Sequence, residues 1–221
     1  MTLKNHILRT SLNASLFLAI FLSILINPLP VGALDNGGAS LPDFQDFSET
    51  VRNSSQADVL RGVYVPEVLA LPVVQQPAGN AGYVSPRDGE ITQFGMVSQF
   101  GNVGLLAHNH LSGKSFSQLA RGQEVRLVYG NGRIEYFVIT ELVSYQALQP
   151  TSPYSSFRSL DGRETLTAEQ MFKRVYFGDR HVTFQTCVEA NGNLSWGRLF
   201  VIAIPRAEYI EMNNFNYKMY R

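Results

Sequence analysis

Between Gly62 and Pro205 the chain is a succession of short apolar runs, each ended by a turn signal: "GVYVPEVLALPVV", "VGLLAHNH", "EVRLVYGNGRIEYFVITELVSY" and "HVTFQTCVEANGNLSWGRLFVIAI". Two of them carry Asn-Gly between strand-like stretches, in "YGNGRIEYF" and "EANGNLSW", the strongest short-range hairpin signal. Many short strands with glycine-rich turns predict an all-β sandwich or barrel. Helices are minor. "FSQLARG" from Phe116 suits one helical turn, and "TAEQMFKRVY" places Thr167 and Gln170 at capping-box spacing ahead of a short helix.

The ends read differently. In residues 1–34, Lys4 and Arg9 precede an apolar stretch from Ala14 to Ile26, and Pro28 and Pro30 lead into the small-residue triplet Val31-Gly32-Ala33. The uninterrupted run is shorter than the ~20 residues of a spanning helix, although Leu29 to Leu34 would lengthen it. The segment is therefore a signal peptide or a membrane anchor, and in either case the rest is exported. Residues 35–60, rich in Gly, Ser, Asp and Asn, read as a flexible tether. Residues 61–210 form one domain, and 211–221 a C-terminal tail. Lys+Arg and Asp+Glu both total 18, so no polyanionic partner is implied, and without a basic run beyond the leader there is no nucleic-acid signal. With 45% hydrophobic residues, the domain can build its core without disulfides.

Cys187 is the sole cysteine, which excludes an intrachain disulfide and leaves a filler thiol, an intermolecular bridge or a nucleophile. Strand alternation puts Val182, Phe184, Thr186 and Val188 on one face and His181, Thr183, Gln185 and Cys187 on the other. The thiol then points away from the apolar side. If Asn191-Gly192 is a two-residue turn, Cys187 faces Trp196, with Arg198 the diagonal neighbour on the same face. If the turn is Gly192-Asn193, Cys187 and Arg198 are directly opposite. Arg198 lies in the apolar stretch "WGRLFVIA", where a charge is costly without a partner or a task. An arginine beside a cysteine favours thiolate and suits an oxyanion. The proton carrier would be a histidine. His181 is six residues up the cysteine's own strand, ~20 Å away by strand rise. His108 and His110, which end an apolar strand on one shared face, are the better candidates.

These residues resemble the sortase family of exported cysteine transpeptidases. Thr183-Phe184-Gln185-Thr186-Cys187 is similar to its Thr-Leu-x-Thr-Cys motif, Arg198 to its catalytic arginine before an apolar run, and His108 to its histidine followed by Phe-x-x-Leu. Ala107 and Gln123 depart from the family's glycine and aspartate. The resemblance implies an eight-stranded closed β-barrel with one or two short helices. It implies Cys187 as nucleophile, His108 as acid/base with His110 as the alternative, and Arg198 at the oxyanion. Thr183, Thr186 and Trp196 would line or support the substrate groove, and Gln146 to Arg174 would wall it. The implied partners are exported proteins carrying a sorting signal and an amine acceptor on the cell surface, a pilin or the wall. No cofactor and no metal site is expected. Calcium modulation through Asp88, Glu90 and Glu141 stays open, with nothing in their spacing to support it. The other readings are a sortase-like hydrolase, an idle barrel that binds surface polymers or proteins, and an exported domain whose thiol makes a disulfide-linked dimer.

Overall fold

The two Asn-Gly signals become hairpin turns in the computed structural model, which describes residues 41–152 and 154–219. The leader at 1–34 lies outside the described residues. At the first turn Tyr129 N–H donates to the Arg133 carbonyl (2.9 Å) and Gly132 takes φ +85°. At the second, Asn191 and Gly192 both have positive φ, 53° and 73°, as a two-residue turn matched to strand twist requires.

Among the described residues ten strands follow in order: β1 (Leu60–Val65), β2 (Leu69–Gln75), β3 (Ile91–Gln93), β4 (Val103–Leu106), β5 (Glu124–Tyr129), β6 (Ile134–Ala147), β7 (Phe157–Ser159), β8 (Thr165–Leu166), β9 (Val182–Ala190) and β10 (Asn193–Pro205). Their neighbours run β10-β9-β4-β3-β2-β1-β5-β6, and a further pairing of β10 with β6 closes the ring. Eight strands thus make the closed barrel, and β7 and β8 extend from β6. All pairs are antiparallel except β2–β3 and β4–β9. Inside, Val63, Val65, Leu105, Leu127, Phe137, Ile139, Phe184 and Val201 pack into one core.

Among the described residues four α-helices sit outside the barrel: α1 (Phe44–Val51), α2 (Gly95–Ser98), α3 (Ala168–Tyr176) and α4 (Arg206–Met219). The expected capping box starts α3: Gln170 N–H donates to Thr167 Oγ1 (3.2 Å), and the Gln170 side chain accepts from Thr167 N–H (2.9 Å). Its buried face, Met171, Phe172, Val175 and Tyr176, joins Tyr145, Phe157, Phe200 and Ile202 in a second core on the barrel's outer wall. The connection from Gln146 to Arg174 therefore folds as the β7–β8 hairpin and α3, which cover this wall.

Two segments differ from their sequence reading. Within the expected tether, residues 44–51 form α1, begun by Asp43, whose side chain accepts from Gln45 N–H (2.7 Å). Phe47 and Val51 are buried against Tyr64 and Val128, and Phe44 packs beside them. This burial offsets the entropy of ordering so polar a stretch. Of the expected C-terminal tail, residues 211–219 are likewise the last part of α4, anchored near its start by Arg206, which pairs with Glu124 (2.8 Å). Phe47→Ala is expected to cost about 3 kcal/mol and to lower the melting temperature by roughly 6–12 °C, leaving the reactivity of Cys187 unchanged. Thermal denaturation and thiol alkylation measure the two.

Candidate active site

The outward row of β9 places the thiol. His181, Thr183, Gln185 and Cys187 share that face, but it is not the polar, open face its residue types suggest. Its first three members tie down α3. Thr183 Oγ1 donates to the Val175 carbonyl (2.6 Å), His181 Nε2 lies 3.1 Å from the same oxygen, and Tyr176 O–H donates to Gln185 Oε1. The fourth member is Cys187, 5% exposed. Thr183 is thus a support under the helix, and His181, whose Nδ1 lies 2.7 Å from the Asp179 carbonyl, belongs to the same anchorage.

The register with β10 combines the two expected turns. Asn191-Gly192 is the turn and Ala190 faces Asn193, but a bulge follows before Gly197 pairs with Val188. Two surplus residues on β10 bring Arg198 directly opposite Cys187. Trp196, expected to face Cys187 in the first register, lies in the bulge and is half-buried.

Arg198 is 1% exposed. Its Nη1 donates to the carbonyls of Ser195 (3.0 Å) and Gly197 (2.8 Å), and Nε is buried with no hydrogen-bond partner. Among the described residues no carboxylate forms an ion pair with it. Burial pushes the Cys187 thiol above the ordinary cysteine value, while the Arg198 charge and the Ser195 hydroxyl pull the other way.

His108 arrives on the other side of Cys187. Parallel pairing of β4 with β9 sets Leu106 level with Gln185. Beyond the strand end Ala107 N–H still donates to the Gln185 carbonyl (3.3 Å), and His108 follows in the turn after it. The turn is fastened there: Thr186 Oγ1 donates to the Ala107 carbonyl (2.9 Å), and Gly113 N–H donates to the His108 carbonyl (3.0 Å). A Cβ on Gly113 would lie 2.4 Å from Thr186 Oγ1 and 2.6 Å from that carbonyl, so only glycine lets the loop close. Thr186 acts through this packing, on the barrel's inner side. Asn109 Nδ2 donates to the Leu194 carbonyl (3.0 Å), joining the histidine turn to the β9–β10 hairpin.

For the half-buried His108 ring the Val84 carbonyl favours protonation. Burial and the neighbouring His110 charge prevail and hold its pKa below the usual histidine value. His110 is exposed, its ring centroid 5.4 Å from that of His108. Of the two, His108 is the one held by the fold.

Sequence reasoning did not find Val84 or Ser195. A carbonyl acceptor leaves no trace in residue type. Ser195 could have been noticed only by counting the residues between the turn and Arg198. The acidic trio does not form a cluster: Asp88 pairs with Lys114 (3.1 Å), Glu90 with Arg87 (3.1 Å), and Glu141 with Arg174. No group of three or more His, Cys, Asp or Glu is placed to hold a metal among the described residues. One strand beyond Arg198, an open cleft of about 660 Å³ lies between β6 and the β7–β8 turn, lined by residues including Val143, Tyr145, Leu160, Glu164 and Arg174. Burial and the Glu164 carboxylate push Tyr145 up to about 12.

The molecule is thus a closed β-barrel with a cysteine and an arginine in register on its covered outer wall and a histidine turn beside them. No family model and no curated protein sequence matches the chain. Among solved structures it is similar to sortase A of Listeria monocytogenes (12% identity over 67% of this chain and 87% of that one, TM-score 0.42). It is similar also to sortase C-1 of Actinomyces oris (12%, 89% and 98%, 0.45). A third is Clostridium perfringens sortase C with its C-terminal cell wall sorting motif (12%, 92% and 91%, 0.45).

Proposed function

We propose that the protein is a sortase-type cysteine transpeptidase of exported proteins. The observation that carries this is Arg198: a guanidinium 1% exposed, with no carboxylate paired to it and no partner for its Nε among the described residues, in direct register with the only thiol. Stranding a charge in this way costs several kcal/mol, and an incoming carbonyl that becomes an oxyanion supplies the missing partner.

Burial raises the thiol pKa and lowers that of His108, so near neutral pH the resting pair is thiol and neutral imidazole. His108 takes the thiol proton as sulfur attacks a backbone carbonyl of the sorting signal. Arg198 holds the oxyanion. The tetrahedral species collapses with cleavage of the C–N bond, and the His108 imidazolium gives its proton to the leaving amine. An acceptor amine then attacks the thioester and loses its proton to His108. The C–S bond breaks, and the sulfur is reprotonated. The acceptor is an amine on the cell surface, a pilin or the wall, and the leader at 1–34 supplies export.

The test is intact mass of the purified protein incubated with pooled sorting-signal peptides of Leu-Pro-x-Thr-Gly type, with and without a glycine amine. The expected result is a peptide-sized adduct, absent in Cys187→Ala, that resolves to amine-capped product. An adduct that resolves only to free acid would make the protein a hydrolase. No adduct from any pool would leave a binding barrel.

A further inference from the structure

We infer that the cleft between β6 and the β7–β8 turn is a subsite for a basic side chain of the sorting-signal peptide, with Glu164 as its counter-ion, an assignment that rests on the transpeptidase reading. The cleft stands on the thiol's wall. Cys187 faces Arg198 on β10, and Arg198 faces Tyr145 on β6, so the three residues form one row across three strands. Tyr145 is 3% exposed, and its hydroxyl donates to Glu164 Oε1 (2.6 Å) at the cleft. Glu164 is exposed, and its backbone is fixed in the turn. Its N–H donates to Ser159 Oγ and its carbonyl accepts from Ser159 N–H, both at 3.1 Å.

The charges at the cleft single out this carboxylate. Arg163 pairs with Asp161 (3.3 Å) and Arg174 with Glu141, so each arginine has a carboxylate of its own. Glu164 forms no ion pair among the described residues; the Tyr145 hydroxyl orients it and leaves its charge without a counter-ion. Beside it Leu160, 59% exposed, and Val143 offer apolar contact, which suits the methylene stem behind an ammonium or guanidinium. A volume of about 660 Å³ admits such a side chain and the backbone that bears it. The amine that attacks the thioester does not fit this place. Two strand spacings, ~10 Å, separate Tyr145 from Cys187, and a carboxylate partner favours the ammonium form, which has no lone pair to attack with. The cation held here therefore belongs to a residue that does not react. In an extended peptide ~10 Å is about three residues, which places the basic residue within about three positions of the scissile carbonyl.

The experiment measures peptide binding to the purified Cys187→Ala protein, which has no thiol to acylate, by fluorescence anisotropy. The probes are two sets of labelled peptides, one with a Leu-Pro-x-Thr-Gly core and one with a randomised core, each carrying a single lysine or alanine at successive flanking positions. Lysine at one position is expected to tighten binding about three- to fivefold over alanine, the scale of a partly exposed ion pair, and the gain fades as salt is raised. Glu164→Gln is expected to abolish the gain, and Glu164→Lys to pass it to glutamate-bearing peptides. Both substitutions change an exposed side chain, so neither removes anything from the core. A lysine gain that persists in Glu164→Gln, or no lysine-dependent binding in either set, would overturn the subsite. An acyl adduct on Cys187 of the unsubstituted protein without a Glu164-dependent preference would remove only the subsite. Glu164-dependent binding without any such adduct would keep the cation site and remove the transpeptidase.

Discussion

Arg198→Met is expected to lower peptide transfer about a thousandfold, the scale of losing an oxyanion donor, while leaving the melting temperature unchanged or raising it. The two halves follow from one fact. A residue kept for stability would have a carboxylate beside it, whereas Arg198 is buried with two carbonyl contacts on one nitrogen and an orphaned Nε. Replacing buried charge with an apolar side chain of similar length is often neutral or stabilising by about 1–4 kcal/mol. The neighbours on this wall, Phe200 and Tyr145, offer methionine apolar contacts. A protein of this size gains roughly 2–4 °C per kcal/mol. Transfer kinetics and calorimetry on the same preparation decide the matter. Loss of activity with a melting point depressed by about 10 °C or more would make the arginine a structural residue and remove the main support for the proposed chemistry.

The histidines should separate just as clearly. His108→Ala is expected to reduce transfer by about 10²–10⁴-fold, and His110→Ala by less than about tenfold. His108 is half-buried and the Val84 carbonyl favours its protonated form, while His110 lies exposed. His110 nevertheless leaves a mark on the pH profile. Its positive charge helps hold the His108 pKa below the usual value, so removing it raises that pKa and shifts the acidic limb of the rate profile toward neutral pH. An effect of equal size from both substitutions, or a limb that stays in place in His110→Ala, would reverse the assignment or dissolve it.

Much of this was readable along β9. Alternation assigned Val182 and Phe184 inward and the Cys187 row outward, and the residues pack so. It could not show that the outward row would itself be covered. Thr183 and Gln185 look like solvated positions because they are polar, yet their polarity serves the α3 carbonyl and the Tyr176 hydroxyl. The capping box announced that helix, but nothing in it says where the helix docks. At the N-terminal side, polar composition outweighed a weaker signal: Phe44, Phe47 and Val51 recur at helical spacing after a capping Asp43, and only Tyr64 and Val128 across the space between them make that spacing count. Within the site, the residue types of the nucleophile, the guanidinium and the imidazole were visible. The Val84 carbonyl and the bulge were not, since both are properties of backbone brought together from far along the chain.

The bulge also makes length at the β9–β10 tip a quantity that changes in steps of two. A surplus of zero or two residues leaves Arg198 on the thiol's side of the sheet. A surplus of one would pair it with Thr186 and drive a permanent cation into the barrel beside Phe184. Chains that share this architecture can therefore drift in tip length only by even increments unless the arginine moves along the strand with them. That parity is a constraint on descent and on redesign alike, and it is invisible to any comparison that matches residues one at a time.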